Sequence, residues 1–223
     1  MSKIKNNIWG IGFVVVLIGA FGAMGLASKN TKLPSPSAVA EDTVEFVITD
    51  KDHTIGPANA KATLVEYADF QCPACKAYVP WIENLVKDFP NDLRVVYRYF
   101  PLKQIHYQAQ NSAEVAEAAG LQGKFWEMEK VLYENQEKWA NTTGKEPFNT
   151  YAEAIGLDMA KFASDLKLSS TKERVDADLE QGISIGINGT PTFYLNNKKI
   201  PNPQRYEDFK ALIAEAIKNA PTQ

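Results

Sequence analysis

The chain has 223 residues, of which 45% are hydrophobic and 23% are charged, and these proportions are typical of a globular protein rather than a disordered or collagen-like one. The formal net charge of −3 is unevenly distributed, because residues 1–40 carry four lysines and no acidic residue, which leaves a net charge of −7 on the remaining chain. So acidic a domain is a poor partner for nucleic acid, whose phosphates attract the opposite charge, and we expect no nucleic-acid binding.

Residues 1–28 predict a membrane anchor or signal segment. An uncharged apolar run of about 20 residues, the length that spans a bilayer core, lies between two groups of lysines. Lysines before the run favour a cytoplasmic N-terminus and export of the domain after the run. The run is longer than the apolar core of most signal peptides, which favours an uncleaved single-pass anchor in the cell membrane. Cleavage after the small residues near its end, which would give a secreted or periplasmic protein, is the alternative.

The remaining chain divides into a polar, proline-bearing linker over residues 29–43 and one domain over residues 44–220. Branched and aromatic runs indicate strands, and apolar residues at helical spacing indicate helices. In chain order, the pattern first predicts a strand over 45–49, a loop over 53–60, a strand over 62–70, a helix over 73–89 that is interrupted at Pro80, and a strand over 93–100. Four helices follow, over 107–120, 123–139, 148–156 and 158–186, the last broken near 167–170. A hairpin around Asn196–Asn197 and a helix over 203–219 complete the domain. This order predicts an α/β sheet that is interrupted by an all-helical insertion.

The two cysteines of the chain, Cys72 and Cys75, lie at the start of the first predicted helix. Pro73 suits the first helical position, where a missing N–H is not needed. Cys72 lies just before that position, where free backbone N–H groups and the positive end of the helix dipole stabilise a thiolate. The spacing therefore predicts a redox-active Cys72–Cys75 disulfide, with Cys72 as the nucleophile and Cys75 as the thiol that resolves a mixed disulfide.

Three other interpretations of the cysteine pair are weaker. A structural disulfide across so short a loop removes little chain entropy. A zinc site would need nitrogen ligands close together, but His53 and His106 are far apart in the sequence, and His106 at a helix start is expected to be a packing or capping residue. Covalent haem attachment needs a histidine directly after the second cysteine, where this chain has Lys76.

Two residues away from the pair are candidates for a supporting role. Pro191 follows Thr190 at the mouth of a predicted strand, where a proline can be an ordinary edge residue. A cis Thr190–Pro191 bond would instead bring the backbone towards Cys72 and leave main-chain groups for a substrate peptide. Glu66 lies in an apolar strand, and a buried carboxyl there would have a raised pKa and exchange protons with the resolving thiol. A solvent-facing Glu66 is the alternative.

At these residues the sequence resembles the thioredoxin-fold disulfide oxidoreductases and, within them, the DsbA-like family. The matching features are the Cys72/Cys75 pair at a helix start, Pro80 eight positions after the first cysteine, the Thr190–Pro191 loop and the acid at Glu66. The helical insertion at about 104–186 distinguishes DsbA-like members from plain thioredoxins. Strong oxidases of the family carry a histidine between the cysteines, whereas this chain has Pro73 and Ala74, which leaves the preferred direction of the reaction open.

The resemblance implies a thioredoxin fold with an inserted all-helical subdomain, here preceded by an N-terminal transmembrane helix. It implies thiol–disulfide exchange with cysteines of exported proteins, with dithiol oxidation expected first and a disulfide reductase, an isomerase or a non-catalytic thioredoxin-fold chaperone as alternatives. Substrate contacts would come from Thr190, Pro191, Pro73 and Ala74. Reoxidation would come from a quinone-linked membrane protein of the DsbB or vitamin K epoxide reductase type, and no organic cofactor or metal is expected.

Overall fold

The computed structural model describes residues 43–221. The predicted anchor at 1–28 and all but the last residue of the predicted linker lie outside this range. Within residues 43–221, no helix is both long enough and apolar enough to cross a membrane.

The centre of the fold is a five-stranded sheet with the strand order β1-β3-β2-β4-β5. Its strands are β1 (His53–Ile55), β2 (Ala62–Ala68), β3 (Leu93–Tyr99), β4 (Thr192–Leu195) and β5 (Lys198–Ile200). β2 and β3 run parallel, and the other neighbouring strands are antiparallel. Parallel neighbours need a crossover connection, and helix α1 (Pro73–Asp88) supplies it. The end of β2 is therefore followed directly by the turn that leads into α1.

Six α-helices between β3 and β4 form the insertion. They are α2 (Ala109–Gly120), α3 (Phe125–Glu134), α4 (Gln136–Trp139), α5 (Asn149–Ala154), α6 (Met159–Asp165) and α7 (Ser169–Ser184), and helix α8 (Tyr206–Lys218) follows β5. The predicted break near 167–170 separates α6 from α7. The predicted interruption at Pro80 is wrong, because α1 continues through it. Pro80 is exposed, so solvent can pair with the carbonyl that the proline leaves free.

The prediction for the first strand is also wrong. Residues 45–49 form no strand, and β1 lies instead in the segment that was expected to be a loop. The 45–49 segment lies beside the β4–β5 hairpin without joining the ladder. The Phe46 N–H donates to Asn197 Oδ1 at 3.4 Å, and the Phe46 ring contacts Tyr194. β1 is followed by Gly56, whose φ is +92° and where a Cβ would lie 2.1 Å from the Leu93 carbonyl oxygen.

The hairpin between β4 and β5 agrees with the sequence. Asn196 and Asn197 have φ values of 46° and 71°, the left-handed conformation that a two-residue hairpin turn of type I′ requires and that asparagine tolerates. Because β4 runs antiparallel to β2, the segment before β4, which contains Pro191, lies at the same end of these strands as the start of α1.

The apolar core has a part that is specific to the insertion and includes both cysteines. Cys72 and Cys75 cluster with buried side chains of the inserted helices, among them Met128, Leu132 and Trp139. Each large side chain of this kind contributes about 1.5–3 kcal/mol when it is fully buried. A second cluster packs α1 and α8 against the sheet, mainly through Leu64, Leu85, Phe193, Phe209 and Ile213. The cysteines therefore lie where the insertion meets the sheet.

Candidate active site

The two cysteines occupy different environments at the start of α1. Cys72 is the residue that precedes the first helical position, which Pro73 occupies. Cys72 is 7% exposed and Cys75 is fully buried, whereas Pro73 and Ala74 between them are exposed. Both sulfurs are free thiols in this structure, so the Cys72–Cys75 disulfide remains a prediction. The exposures leave Cys72 as the sulfur that a partner can reach.

The surroundings of the two thiols shift their pKa values in opposite directions. A hydrogen bond from Cys75 lowers the pKa of Cys72 from 9.0 to about 5, and Thr190 and the backbone amides of Cys75 and Ala74 add to this effect against the cost of burial. Burial raises the pKa of Cys75 well above its ordinary value, and the neighbouring Cys72 and Glu66 raise it further. At neutral pH, Cys72 is therefore a thiolate and Cys75 a protonated thiol.

The Thr190–Pro191 loop faces the nucleophile. Its peptide bond is cis, and Cys72 Sγ lies 3.5 Å from the backbone oxygen of Thr190. The carbonyl oxygen of Pro191 is occupied by the side chain of Asn202, whose Nδ2 donates to it at 2.8 Å. A cavity of about 390 Å³ lies beside the loop, lined by residues 188–192 and 199–202. The cis Thr190–Pro191 bond and the position of Thr190 beside Cys72 agree with the sequence-based expectation, whereas contact of Thr190 and Pro191 with a substrate stays a prediction.

Glu66 is buried, as one of the two alternatives for it predicted. It lies on the central strand β2, between Tyr97 on β3 and Phe193 on β4, and it is 6% exposed. Burial raises the pKa of its carboxyl well above 4.5, and the negative charges of Glu129 and Cys72 raise it further. The solvent-facing alternative is wrong, because a central strand with both faces covered offers no such position.

A family model described as "Thioredoxin" matches residues 48–215. The chain belongs to the thioredoxin family. Its fold, with the helical insertion between β3 and β4, is that of the DsbA-like members of the superfamily.

Three solved structures resemble this thioredoxin-family chain in fold. A thioredoxin-like oxidoreductase from Silicibacter pomeroyi is 23% identical, with a TM-score of 0.65 over 77% of this chain and 95% of that one. Oxidised BdbD from Bacillus subtilis is 22% identical, with a TM-score of 0.67 over 76% and 94% of the two chains. Wolbachia pipientis alpha-DsbA1 is 18% identical, with a TM-score of 0.68 over 78% and 94%.

Curated relatives match the thioredoxin-family region at higher identity but are much longer proteins. The Na(+)/H(+) antiporter NhaA 3 of Salinispora tropica is 31% identical over 220 residues, which cover 94% of this chain and 33% of that protein. NhaA 1 of Mycolicibacterium vanbaalenii is 36% identical over 175 residues, which cover 77% and 27%. The chain thus spans about one third or less of these relatives. Their antiporter name belongs to whole proteins, most of whose length has no counterpart in the matched region.

The thioredoxin-type turn before Cys72 is held by a residue that the sequence did not single out. Asp69 Oδ1 accepts the Gln71 N–H at 2.7 Å, and its Oδ2 accepts the Leu102 N–H at 3.0 Å. His106 Nδ1 lies 2.7 Å from the same Oδ2, so the expectation of a simple packing or capping role for His106 was incomplete. We call residues 69–72 the catalytic turn.

The insertion also holds the catalytic turn through glutamines. Gln136 on α4 donates from Nε2 to the carbonyl oxygens of Phe70, at 2.7 Å, and Cys72, at 3.2 Å. Gln71 donates to the Ala140 carbonyl at 2.8 Å. The inserted helices therefore position the backbone that carries the nucleophile. Nothing in the local sequence pattern distinguishes these glutamines from surface ones.

The remaining candidate sites do not involve the cysteines. A cavity of about 740 Å³ contains neither cysteine nor Pro191 in its lining, and its arginines, Arg98 and Arg174, are already paired with Asp52 and Asp178. Within residues 43–221, no group of three or more His, Cys, Asp or Glu side chains is arranged to hold a metal ion.

Proposed function

We propose that the protein is an extracytoplasmic thiol–disulfide oxidoreductase that exchanges the Cys72–Cys75 disulfide with cysteines of exported proteins, chiefly as a dithiol oxidase. The observation that carries this proposal is the opposite protonation of two adjacent thiols, one reachable and ionised, the other buried and protonated. A structural disulfide would need no such asymmetry. Membership of the thioredoxin family and the DsbA-like fold support the same chemistry.

The reaction starts with the Cys72–Cys75 disulfide and a substrate that carries two thiols. A substrate thiolate attacks the sulfur of Cys72, because Cys75 is fully buried, and the S–S bond breaks. Cys75 leaves with the electron pair and takes a proton from Glu66. The second substrate thiolate then attacks the substrate sulfur of the mixed disulfide and releases Cys72 as a thiolate. The substrate has lost two electrons and two protons and gained a disulfide. One of these protons replaces the proton that Glu66 gave to Cys75, the other goes to solvent, and the protein is left reduced, with Cys72 as a thiolate and Cys75 as a thiol.

The lowered pKa of Cys72 favours the oxidising direction, because a stabilised thiolate stabilises the reduced protein. With a Cys72 pKa of about 5, the equilibrium at pH ~7 favours the reduced protein by roughly a factor of 100 compared with a protein whose thiol has an ordinary pKa. This factor corresponds to a rise in the reduction potential of at most about 60 mV. Since the pKa is lowered, this gain is fully present above the ordinary thiol pKa and is lost as the pH falls through about 5.

The setting of the reaction belongs to the proposal as well. The N-terminal segment would anchor the protein in the cell membrane with the domain outside the cytoplasm, or would be cleaved as a signal peptide. A quinone-linked membrane protein of the DsbB or vitamin K epoxide reductase type would return the cysteines to the disulfide. Oxidation of this kind needs no bound cofactor, because the sulfurs carry the two electrons.

A redox titration combined with a thiol titration tests the proposal. We expect Cys72 to be half ionised near pH 5, followed by its thiolate ultraviolet absorbance, and the reduction potential against glutathione to lie well above thioredoxin's ~−270 mV, towards DsbA's ~−120 mV. Cys75→Ala is the control, since removing the donor should raise the Cys72 pKa. A potential near that of thioredoxin, together with an ordinary Cys72 pKa, would contradict the oxidase and favour the reductase.

A further inference from the structure

The Asp69 carboxylate ties the catalytic turn to the loop after β3, alongside the Gln108 N–H, which donates to Gln71 Oε1 at 2.7 Å. Besides accepting the N–H groups of Gln71 and Leu102, the Asp69 carboxylate receives a hydrogen bond from His106 Nδ1, because a carboxylate can only accept. The Asp69 side chain is completely buried and that of His106 is 16% exposed. His106 is the one positively chargeable side chain that contacts Asp69 among residues 43–221.

Asp69 also determines where the two cysteines lie. Its backbone oxygen accepts the Cys72 N–H at 3.0 Å, which closes the turn immediately before α1. Its side chain accepts the N–H of the residue two positions ahead, an arrangement that shapes a tight turn. The backbone of Asp69 also hydrogen-bonds to the Cys75 thiol. Any rotation of Asp69 therefore moves Cys72 relative to the helix N–H groups and the Thr190 carbonyl that surround its sulfur.

We propose that Asp69 and His106 are positioning residues that hold Cys72 against the start of α1 and thereby set the thiol–disulfide exchange equilibrium. This inference rests on the proposed function and names two residues that govern the same site. His106 acts through Asp69 and does not touch the reacting sulfurs. Loss of its hydrogen bond leaves a buried carboxylate oxygen with one partner fewer, and the turn can then relax away from the geometry that stabilises the thiolate.

The chain offers a matched control for this inference. Its only other histidine, His53, also lies 2.7 Å from a buried carboxylate, that of Glu117, and is similarly exposed, at 13%. The Tyr99 hydroxyl donates to the same Glu117 oxygen. Among residues 43–221, the side chains of this group form no hydrogen bond with the catalytic turn, and His53 reaches the turn indirectly, through the Phe125 ring, which lies against Phe70. Replacing His53 therefore removes a histidine–carboxylate hydrogen bond of the same kind without removing any hydrogen bond of the catalytic turn.

The test compares three variants of the full chain: His106→Leu, His106→Asn and His53→Leu. We expect His106→Leu to raise the Cys72 thiol pKa by about one unit and to shift the equilibrium with glutathione about tenfold towards the oxidised protein. His106→Asn should restore most of both values, because its side-chain N–H can replace Nδ1–H. His53→Leu should leave both unchanged, even if it lowers the free energy of unfolding as much. Asp69→Asn is not used alone, since it places an N–H donor opposite other donors and can prevent folding.

Two outcomes would overturn the inference. One is a Cys72 pKa in His106→Leu that equals that of the unmodified protein, and the other is an equal shift in His53→Leu, which would indicate general loosening. The thiol pKa is measured without any substrate, so this inference can fail while exchange by the unmodified protein still supports the proposed function. Conversely, an unmodified protein that does not exchange thiols would contradict the proposed function, while the comparison of the Cys72 pKa values would still test the positioning role of Asp69 and His106.

Discussion

Replacing Cys72 with serine is expected to abolish thiol–disulfide exchange, whereas replacing Cys75 with serine is expected to trap the protein as a mixed disulfide with its substrate. The difference arises from the exposures and the pKa values. Cys72 is the sulfur that a substrate can reach and the one that is ionised at neutral pH. Cys75 is fully buried and protonated, so its loss removes resolution but not attack.

Insulin reduction and oxidative refolding of a reduced protein measure the first result, and non-reducing electrophoresis with a disulfide-bonded peptide measures the second. In the Cys75→Ser variant the unpaired Cys72 thiolate should form a stable adduct with an oxidised peptide. Binding of unfolded clients should be unaffected in both variants. Residual exchange by Cys72→Ser at more than a trace level would show that the reactive sulfur has been assigned wrongly, and client binding without any exchange by the unmodified protein would favour the chaperone alternative.

The chemistry of the cysteine pair could be predicted from the sequence because it is local. Two cysteines three positions apart with a proline between them specify the start of a helix, and the helix start specifies which thiol ionises. The contact between Cys72 and Thr190 spans 118 residues, so no spacing rule could have supplied it. It was expected only because the order of motifs resembles a known family.

The contacts that hold the catalytic turn could not have been predicted in this way. His106 reaches Asp69 across 37 residues, and Gln136 reaches Cys72 across 64. Both connections depend on how the insertion packs against the sheet, which leaves no periodic signal in the chain. The prediction of a first strand over residues 45–49 was wrong for a related reason. Residues 45–49 are rich in residues that favour strands, but whether an edge segment joins the ladder depends on its neighbours rather than on its own composition.

The insertion contacts the catalytic turn and the cysteines as well as contributing to the core. Gln136 fixes the carbonyl of Cys72, the loop before α2 fixes Asp69, and the apolar side chains of α3 and α4 cover Cys75. The covering raises the pKa of Cys75 by burial, and the fixed turn keeps Cys72 at the helix start.

Replacing Glu66 with glutamine is expected to slow exchange about 100-fold or more while making the folded protein more stable at neutral pH. Cys75 is a poor leaving group because its thiol pKa is raised, so a proton must reach it as the disulfide opens, and a positioned acid typically contributes ~10²–10⁴-fold to such a step. Glutamine keeps the shape of the side chain but cannot give up a proton. Stopped-flow exchange with a dithiol peptide across a range of pH measures the loss.

The stability change has the opposite sign because the Glu66 pKa is raised in the folded protein. As the pH rises above the ordinary carboxyl pKa, the unfolded chain loses this proton while the folded chain keeps it, so stability falls until the raised pKa is reached. Glutamine at position 66 removes this dependence of the free energy of unfolding on pH. Denaturant unfolding at several pH values measures the change. Glu129→Gln is the control, because it leaves the acid of Glu66 in place and removes only the charge that Glu129 acquires above its own pKa, which burial raises to about 8. It should keep most of the exchange rate at neutral pH and make Glu66 easier to ionise above pH ~8. Exchange by Glu66→Gln at the unmodified rate across the whole pH range would reduce Glu66 to a buried structural group, and the proton for Cys75 would then have to come from solvent.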